Sequence, residues 1–289
     1  MSADAFARHR SLLFTVAYEM LGSASDAEDV VQETWLRWAD VDHSAVRDPR
    51  AYLVRIVTRQ SLNRLRSMSR RREDYVGEWL PEPLVTGPDV AADIELAESV
   101  SMAMLTVLET LRPTERAVFV LREVFDTPYE EIADAVGKTG AAVRQIARRA
   151  REHVAERRPR MQVDRAEQEQ AVQRFLDALH SGDVHRLLEV LAPDVVLVAD
   201  GGGIATAIRR PIVGAAHVAR LLAQFATAVP DARVATVVLN GAPAVRIDPA
   251  GEADTAVSLV IQGDRVARIY AVRNPQKLAR LGIETLLTR

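Results

Sequence analysis

Residues Thr127–Arg157 read TPYEEIADAVGKTGAAVRQIARRAREHVAER, and this stretch decides the architecture. Thr127, Pro128 and Glu130 stand at the N-cap, N1 and N3 positions of a short helix, Pro128–Val136. A hydroxyl there accepts a free amide, proline gives up a donor that would be unpaired anyway, and an acid suits a helix start. Gly137-Lys138-Thr139 makes a turn, and a longer helix runs from Gly140 to about Arg157. On it Val143, Ile146, Ala147, Ala150 and Val154 share one face. Arg144, Arg148 and Arg151 line the other, with Gln145 and Arg149 beside them. A short helix, a glycine turn and a basic second helix make the helix-turn-helix pattern. Many helical hairpins share that outline; the basic face favours a nucleic-acid partner.

Outward from this motif, charge is distributed unevenly. The 289 residues carry 37 Lys+Arg and 40 Asp+Glu, for a net charge of −3. Residues 73–100 hold eight acids and no base. On one side, Arg47 to Arg72 contains nine Arg and one acid; on the other, Arg144 to Arg160 contains seven Arg and two acids. Two basic clusters around an acidic segment fit two contacts with a polyanion, although two solvated helix faces would carry the same charges. The chain has no cysteine, which excludes disulfides, thiolate zinc sites and a cysteine nucleophile. Nothing approaches the ~18 apolar residues of a spanning helix, so no membrane partner is expected.

Residues 4–21 read as an amphipathic helix ended by Gly22. Ser25 and Glu28 have capping-box spacing for a second helix, Asp26–Trp38. It places Val30, Val31, Trp35 and Trp38 inward and displays Glu28, Asp29, Gln32 and Glu33. Pro49 opens a third helix to about Ser69, along which Arg55, Arg59, Asn63, Arg66 and Arg70 form one polar ridge. Guanidinium groups suit phosphates and bases, and an asparagine amide suits base edges. Residues 71–90 read as a Pro/Gly-rich acidic linker anchored at Trp79–Leu80, and a helix resumes at about Val90 and runs to Thr110. Past Pro159 the composition changes. Two helices over 165–191, a helix at about Gly214–Ala228 and the β-rich runs Val195–Val198, Arg233–Leu239, Ala244–Ile247, Ala256–Ile261 and Val266–Val272 predict an α+β domain with a mostly antiparallel sheet.

In pattern and order the chain resembles the extracytoplasmic-function (ECF) sigma factors of bacteria. DAEDVVQETWLRW (Asp26–Trp38) resembles the polymerase-binding helix of sigma region two. DPRAYLVRIVTRQSLNRLRS (Asp48–Ser67) resembles the helix that opens and reads the −10 promoter element, and Leu111–Glu152 resembles region four, the −35 reader. FLDALHSGDVHRLLEVLAPDVVLVADGGG (Phe175–Gly203) resembles the start of a SnoaL-like cone. One branch of these sigma factors carries that domain, marked by a WLPEP element (Trp79–Pro83), a DGGG element (Asp200–Gly203) and an NPxKL element (Asn274–Leu278), all present here.

The resemblance implies two all-α sigma domains joined by an acidic linker and followed by the cone: region two at 1–70, linker at 71–95, region four at 96–160 and the SnoaL-like regulatory domain at 161–289. It implies a cytoplasmic promoter-specificity subunit whose partners are core RNA polymerase, through the β′ clamp and β flap, and promoter DNA. Glu28, Asp29, Gln32 and Glu33 would meet polymerase. Arg55, Arg59, Asn63 and Arg66 would hold the −10 strand, with loop 39–48 choosing the base. Arg144, Gln145 and Arg148 would read −35 base edges, while Lys138, Thr139 and Arg149 would touch phosphates. The acidic linker could shield both DNA-binding faces in the free protein, or be a plain solvated tether. Trp79, Leu80, Pro81, Asp200, Gly201, Gly202, Gly203, Asn274, Pro275 and Lys277 would join the cone to the sigma domains and regulate them in cis, replacing a separate anti-sigma factor. A small ligand in the cone is open. His180, His185 and His217 are scattered, so no catalytic residue, metal or cofactor is expected. Two other readings remain: a helix-turn-helix regulator with a ligand-binding or enzymatic cone, which leaves the acidic helix and the ridge unexplained, and a bifunctional enzyme using Asp200.

Overall fold

The computed structural model describes residues 2–158, 165–228, 232–248 and 255–289, with side chains at 2, 3 and 69–73 outside the description. The expected domain boundary at 160 therefore lies outside the described residues, as does the side chain of Arg70. Helices α1 (Ser2–Leu21), α2 (Ala24–Ala39) and α3 (Pro49–Glu73) form the first helical unit. Ser23, not Ser25, caps α2: its Oγ accepts the Asp26 amide at 3.2 Å. The helix thus starts two residues earlier than the capping-box spacing predicts, at Ala24 instead of Asp26.

The linker is no loose tether. Val85–Thr86 forms strand β1, which pairs antiparallel with a strand of the C-terminal sheet. The single helix expected from Val90 to Thr110 is three: α4 (Pro88–Ala92), α5 (Ile94–Val100) and α6 (Met102–Leu108). The breaks have a local cause. Asp93 and Ser101 turn their side chains onto the amides of Leu96 and Met104, each starting a new helix rather than continuing the old one. Helix α7 (Pro113–Phe119) and a π turn at Val120–Val124 lead to α8 (Tyr129–Val136) and α9 (Gly140–Arg157), the helix-turn-helix pair. Pro128 itself is the N-cap of α8, one residue later than predicted, and no side chain caps it. Gly137 ends α8 in the left-handed conformation, φ 67°.

The C-terminal domain adds α10 (Arg165–Ser181), α11 (Val184–Val190), α12 (Ala215–Ala228) and the short α13 (Pro275–Leu278). Its strands are β2 (Leu191–Asp200), β3 (Ile212–Val213), β4 (Arg233–Leu239), β5 (Ala242–Asp248), β6 (Thr255–Gln262), β7 (Arg265–Val272) and β8 (Glu284–Thr285). The sheet order is β3-β2-β7-β6-β5-β4-β1-β8. Most neighbours are antiparallel, as expected; β2 with β7 and β1 with β8 are parallel. The linker strand therefore lies between two pieces of the C-terminal domain.

Both faces of this sheet are apolar. On β6, Val257 and Ile261 point toward α10 and α12 inside the cone, while Ala256 and Val260 point the other way. That outer face gathers Leu239, Tyr270, Val272, Leu278 and Leu281, and it is covered by Leu80 of the linker and Met102 and Ala103 of α6. An apolar sheet face exposed to water would be unfavourable by ~25 cal/mol per Å², so the cone requires a cover, which the linker and α6 supply. The helical regions share one core of their own, from Phe6 in α1 to Val154 in α9, and Leu287 from the chain's last residues is inserted into it.

Within that core, Glu19 of α1 is fully buried beside Arg116 of α7. Arg116 donates to the Glu19 carbonyl at 3.0 Å and to Glu109 at 2.6 Å, and Ser99 donates to the Glu19 carboxyl at 2.8 Å. Burial pushes the Glu19 carboxyl up from 4.5 to about 8, against the pull of Ser99 and Arg116. The folded state keeps a proton that the unfolded chain releases above 4.5. This group's contribution to stability is therefore complete below 4.5 and is lost as pH rises toward 8. Glu19→Gln should flatten the decline in melting temperature between those two values; an unchanged pH profile in thermal melts would show that Glu19 is ionised in the fold.

Candidate functional site

The junction between cone and linker is built on Asp200, the last residue of β2, which is fully buried. Its four acceptor directions are all used. Oδ1 accepts Tyr75 Oη at 2.6 Å and the Gly202 amide at 3.0 Å. Oδ2 accepts the Leu80 amide at 2.9 Å and Lys277 Nζ at 2.6 Å. Lys277, in α13, also donates to the Leu80 carbonyl at 2.5 Å, and its ammonium sits 3.1 Å from the centroid of the Trp79 ring. An ammonium has three protons, and a carboxylate, a carbonyl and a π face take them. Asn274 caps α13 with its Oδ1 and donates Nδ2 to Tyr75 Oη at 2.9 Å. Burial and the Asp200 carboxylate both raise the Tyr75 phenol, so it acts here as a neutral donor. Asp200, Gly202, Trp79, Leu80, Asn274 and Lys277 thus meet in one cluster. Pro275 opens α13, Pro81 is buried, and Gly201 and Gly203 shape the loop against its neighbours.

Residues that sequence reasoning missed extend the junction into the N-terminal helices. Glu82, the acid of WLPEP, accepts the amides of Ala24 at 2.8 Å and Ser25 at 3.3 Å, so a linker carboxylate sits on the N-terminus of α2. Asn240 and Gly241 form the tight turn between β4 and β5, both with positive φ. Asn240 is 1% exposed. It donates to Tyr18 Oη at 2.6 Å and the Val100 carbonyl at 2.9 Å, and accepts the Leu84 amide at 3.1 Å. One side chain of the cone thereby ties region two, the linker and the segment leading to region four. A Cβ on Gly241 would stand 2.7 Å from Ala97, so only glycine lets the turn approach this closely. An Asn-Gly hairpin is visible in sequence; its insertion between domains is not.

The residues expected to meet polymerase lie together on α2, and three of the four are already engaged. Arg64 binds Asp29 at 2.7 Å and Asp26 at 2.6 Å, and Gln60 donates to Glu33 at 2.9 Å. Glu28 accepts from Arg10 at 2.6 Å and from Arg280, just after α13, at 3.3 Å. Gln32 is exposed. On the ridge, Arg55 lies 5.0 Å over the Tyr52 ring and Arg66 donates to Asn63 at 3.4 Å. Arg59 donates to the Asp134 carbonyl at 2.7 Å, and its Nε reaches the Ala135 carbonyl at 3.4 Å, at the C-terminal end of α8. A helix C-terminus attracts a cation, so region four holds the ridge. Lys138, Thr139, Arg144, Gln145, Arg148 and Arg149 are all exposed on the helix-turn-helix, and Thr139 also caps α9 through the Ala142 amide. Among the described residues, acids of the linker segment meet arginines outside the ridge, one of them in the second basic cluster. Glu98 meets Arg158, and Asp93 and Glu95 meet Arg289.

Comparison with known proteins accounts for this arrangement. Sigma-70 region 2 matches residues 5–71, Sigma-70 region 4 matches 101–154, and the SnoaL-like domain matches 172–275. The ECF RNA polymerase sigma factor SigJ of Mycobacterium tuberculosis is 40% identical over 226 residues, covering 77% of this chain and 72% of that protein. The probable ECF RNA polymerase sigma factor SigI of the same organism is 32% identical over 283 residues, 97% of this chain and 96% of its own. The chain belongs to the ECF sigma factors. The crystal structure of M. tuberculosis SigJ superposes with a TM-score of 0.78 at 32% identity, covering 96% of this chain and 98% of that one. This sigma factor is thus a promoter-specificity subunit of RNA polymerase with a SnoaL-like domain at its C-terminal end. The SnoaL-like fold includes some enzymes, and sigma factors are not enzymes. Among the described residues, no helix is long and apolar enough to cross a membrane.

Breaking the central ion pair from one side leaves a buried charge alone, at a cost of roughly 3–5 kcal/mol, whereas removing both charges recovers much of it. Asp200→Asn should therefore speed hydrogen exchange at the Leu80 amide by orders of magnitude. Asp200→Asn combined with Lys277→Met should restore part of the protection. Equal exchange in the single variant and the parent would mean that the pair does not hold the junction.

Proposed function

We propose that this sigma factor rests in a compact state enforced by its own C-terminal domain, and that initiation requires the state to open. The observation that carries the reading is Arg59 of the −10 ridge bonded to the end of α8 in region four. Promoter elements centred on −10 and −35 are separated by about 80 Å of duplex, taking ~3.4 Å per base pair along a strand. Two reading helices joined directly through α8 do not span that distance, so the packed form is not the promoter-bound form. The cone supports the packed form from three sides. The Asp200–Lys277 cluster grips the linker, Asn240 ties the domains at one point, and Arg280 occupies Glu28 on the polymerase-facing helix.

In the open state the residue roles follow their exposure and chemistry. Asp29, Gln32 and Glu33, with Glu28 once Arg280 leaves, would dock on the basic β′ clamp. Arg55, Arg59, Asn63 and Arg66 would capture the displaced −10 strand; opening duplex costs ~1.4 kcal/mol per base-pair step. Arg144, Gln145 and Arg148 would read −35 edges in the major groove, each bidentate contact discriminating by ~1–3 kcal/mol, while Lys138, Thr139 and Arg149 fix register on phosphates. Region four would rest on the β flap. The cone would take the place of a separate anti-sigma factor, and the protein would work in the cytoplasm beside polymerase. Regulation is favoured over catalysis because Asp200 is enclosed by four donors and is not free to move a proton.

The absence of cysteine makes a direct test clean. Dyes on Arg37→Cys in region two and Glu131→Cys in region four should show high energy transfer in the free protein. On adding core polymerase and a matched promoter, transfer should fall as the dyes separate by tens of Å, with run-off transcript appearing in the same reaction. Transcript produced with no change in transfer would sink the opening step. No transcript with core polymerase on any of a library of promoters would remove the function itself.

A further inference from the structure

Glu19 lies where region two meets region four, and the fold treats it unlike Asp200. Asp200 receives four donors. The Glu19 carboxyl, equally buried, has one contact, with Ser99 Oγ at 2.8 Å, and its Oε2 has no partner among the described residues. A buried carboxylate requires several donors; a neutral carboxyl does not. The Ser99 hydroxyl has one proton and two acceptors in reach, Glu19 at 2.8 Å and the Leu96 carbonyl at 2.9 Å. A proton on Glu19 completes both contacts, because the carboxyl can then donate to Ser99 while Ser99 donates to Leu96.

The charges around Glu19 leave no place for a second carboxylate. Arg116 of α7 is 2% exposed, and among the described residues its ion pair is with Glu109, at 2.6 Å. Its Nε donates to the Glu19 carbonyl at 3.0 Å, in the last turn of α1, and its Nη2 has no partner among the described residues. A cation suits a helix C-terminus and an anion does not. Glu109 already stands at that end: a Cβ on Gly22, just past α1, would lie 2.7 Å from its Oε1. One guanidinium balances one carboxylate. Ionising Glu19 would bury a second carboxylate at the negative end of α1. Of the other groups facing the site, Tyr18 of α1 is held neutral by burial. Glu82 of the linker is also raised by burial, but the N-terminal amides of α2 receive it.

From this geometry we infer that the contact between α1 and α7 is a proton-gated latch: the compact state closes with Glu19 protonated, and separation of region two from region four releases that proton to water. The inference deepens the regulatory reading above and rests on it for the separation. Arg116 and Glu109 both belong to the region-four side, so they leave as a neutral pair, while Glu19 stays on α1 and is met by water. The open state binds one proton fewer, so rising pH favours opening. The closed carboxyl titrates at about 8 and an exposed one at 4.5. Between those values the opening constant gains about tenfold per pH unit; above and below them this group adds no further pH dependence.

The affinity of the full-length protein for core polymerase, measured at several pH values for the parent and for Glu19→Gln, tests the latch. The amide stands in for the protonated carboxyl at every pH. The ratio of the two affinities cancels pH effects that belong to polymerase or to Glu82. That ratio, parent over variant, should rise about tenfold per pH unit below 8. Calorimetry of the same binding, in two buffers of different ionisation heat, should count about one more proton released by the parent than by the variant. Glu19→Met, equally unable to ionise, serves if the glutamine variant does not fold. A ratio independent of pH, or equal proton release, would overturn the inference. A flat ratio while the dyes on Arg37→Cys and Glu131→Cys still separate would strike the latch and leave the opening in place. A rising ratio with the dyes unmoved would overturn the opening reading while the proton linkage stands.

Discussion

The structure depends on one constraint, that Asp200 and Lys277 are both buried and must satisfy each other and the linker at once. Neither group tolerates burial alone. Each comes from a different end of the cone, at the close of β2 and in α13, and the bonds they have left over fall on the Leu80 amide and carbonyl. The cone can therefore complete its own charge pair fully only when the linker backbone is in place. A loop with an acid and a tail with a lysine become a reader of whether residues 75–80 are docked.

The sheet imposes the same requirement in hydrocarbon. A SnoaL-like cone covers one sheet face with its own helices. Here the second face carries Ala256, Val260, Tyr270 and Val272, and its cover is Leu80, Met102 and Ala103. Polar specificity and apolar driving force thus act on the same short segment of chain. The linker strand β1 joins them by pairing with β4 on one side and β8 on the other. Leu287 and the Thr288 amide then carry the end of the chain into the region-two core, where Thr15 accepts the amide at 3.0 Å.

What the sequence shows and what it hides divide along physical lines. Local periodicity shows the ridge helix, the helix-turn-helix and the five long strands, because each is written in residues three, four or two apart. The elements Trp79–Pro83, Asp200–Gly203 and Asn274–Leu278 were legible through the family resemblance alone. Tyr75, Asn240 and Arg280 were not, nor was the role of Glu82 within its motif. Each works through a partner far away in the chain, and each resembles ordinary linker, turn or surface residues in its own neighbourhood. The single helix expected from Val90 to Thr110 failed for a related reason. Its apolar pattern is continuous, but Asp93 and Ser101 compete for backbone amides, and propensity summed over a window does not register a cap used in the middle. The acidic segment shows the same limit: net charge leaves shielding of both basic faces and a solvated tether equally open, while the fold directs individual acids to Arg158, Arg289 and the amides of α2.

A buried ion pair suits the opening proposed for this sigma factor. Its attraction is largely offset by desolvation, so it contributes modest net stability while penalising every mismatched arrangement. A junction made only of hydrocarbon would hold the domains together with less discrimination and would expose an adhesive face on opening. Here the exposed charges of an opened junction regain water, which lowers the free energy of the open state relative to a purely apolar design. The same logic explains why the acid belongs at the end of β2 and not inside the cone. Placed inside, it would make the cone a candidate for proton transfer; placed at the rim and surrounded by four donors, it makes the cone sensitive to where the linker is.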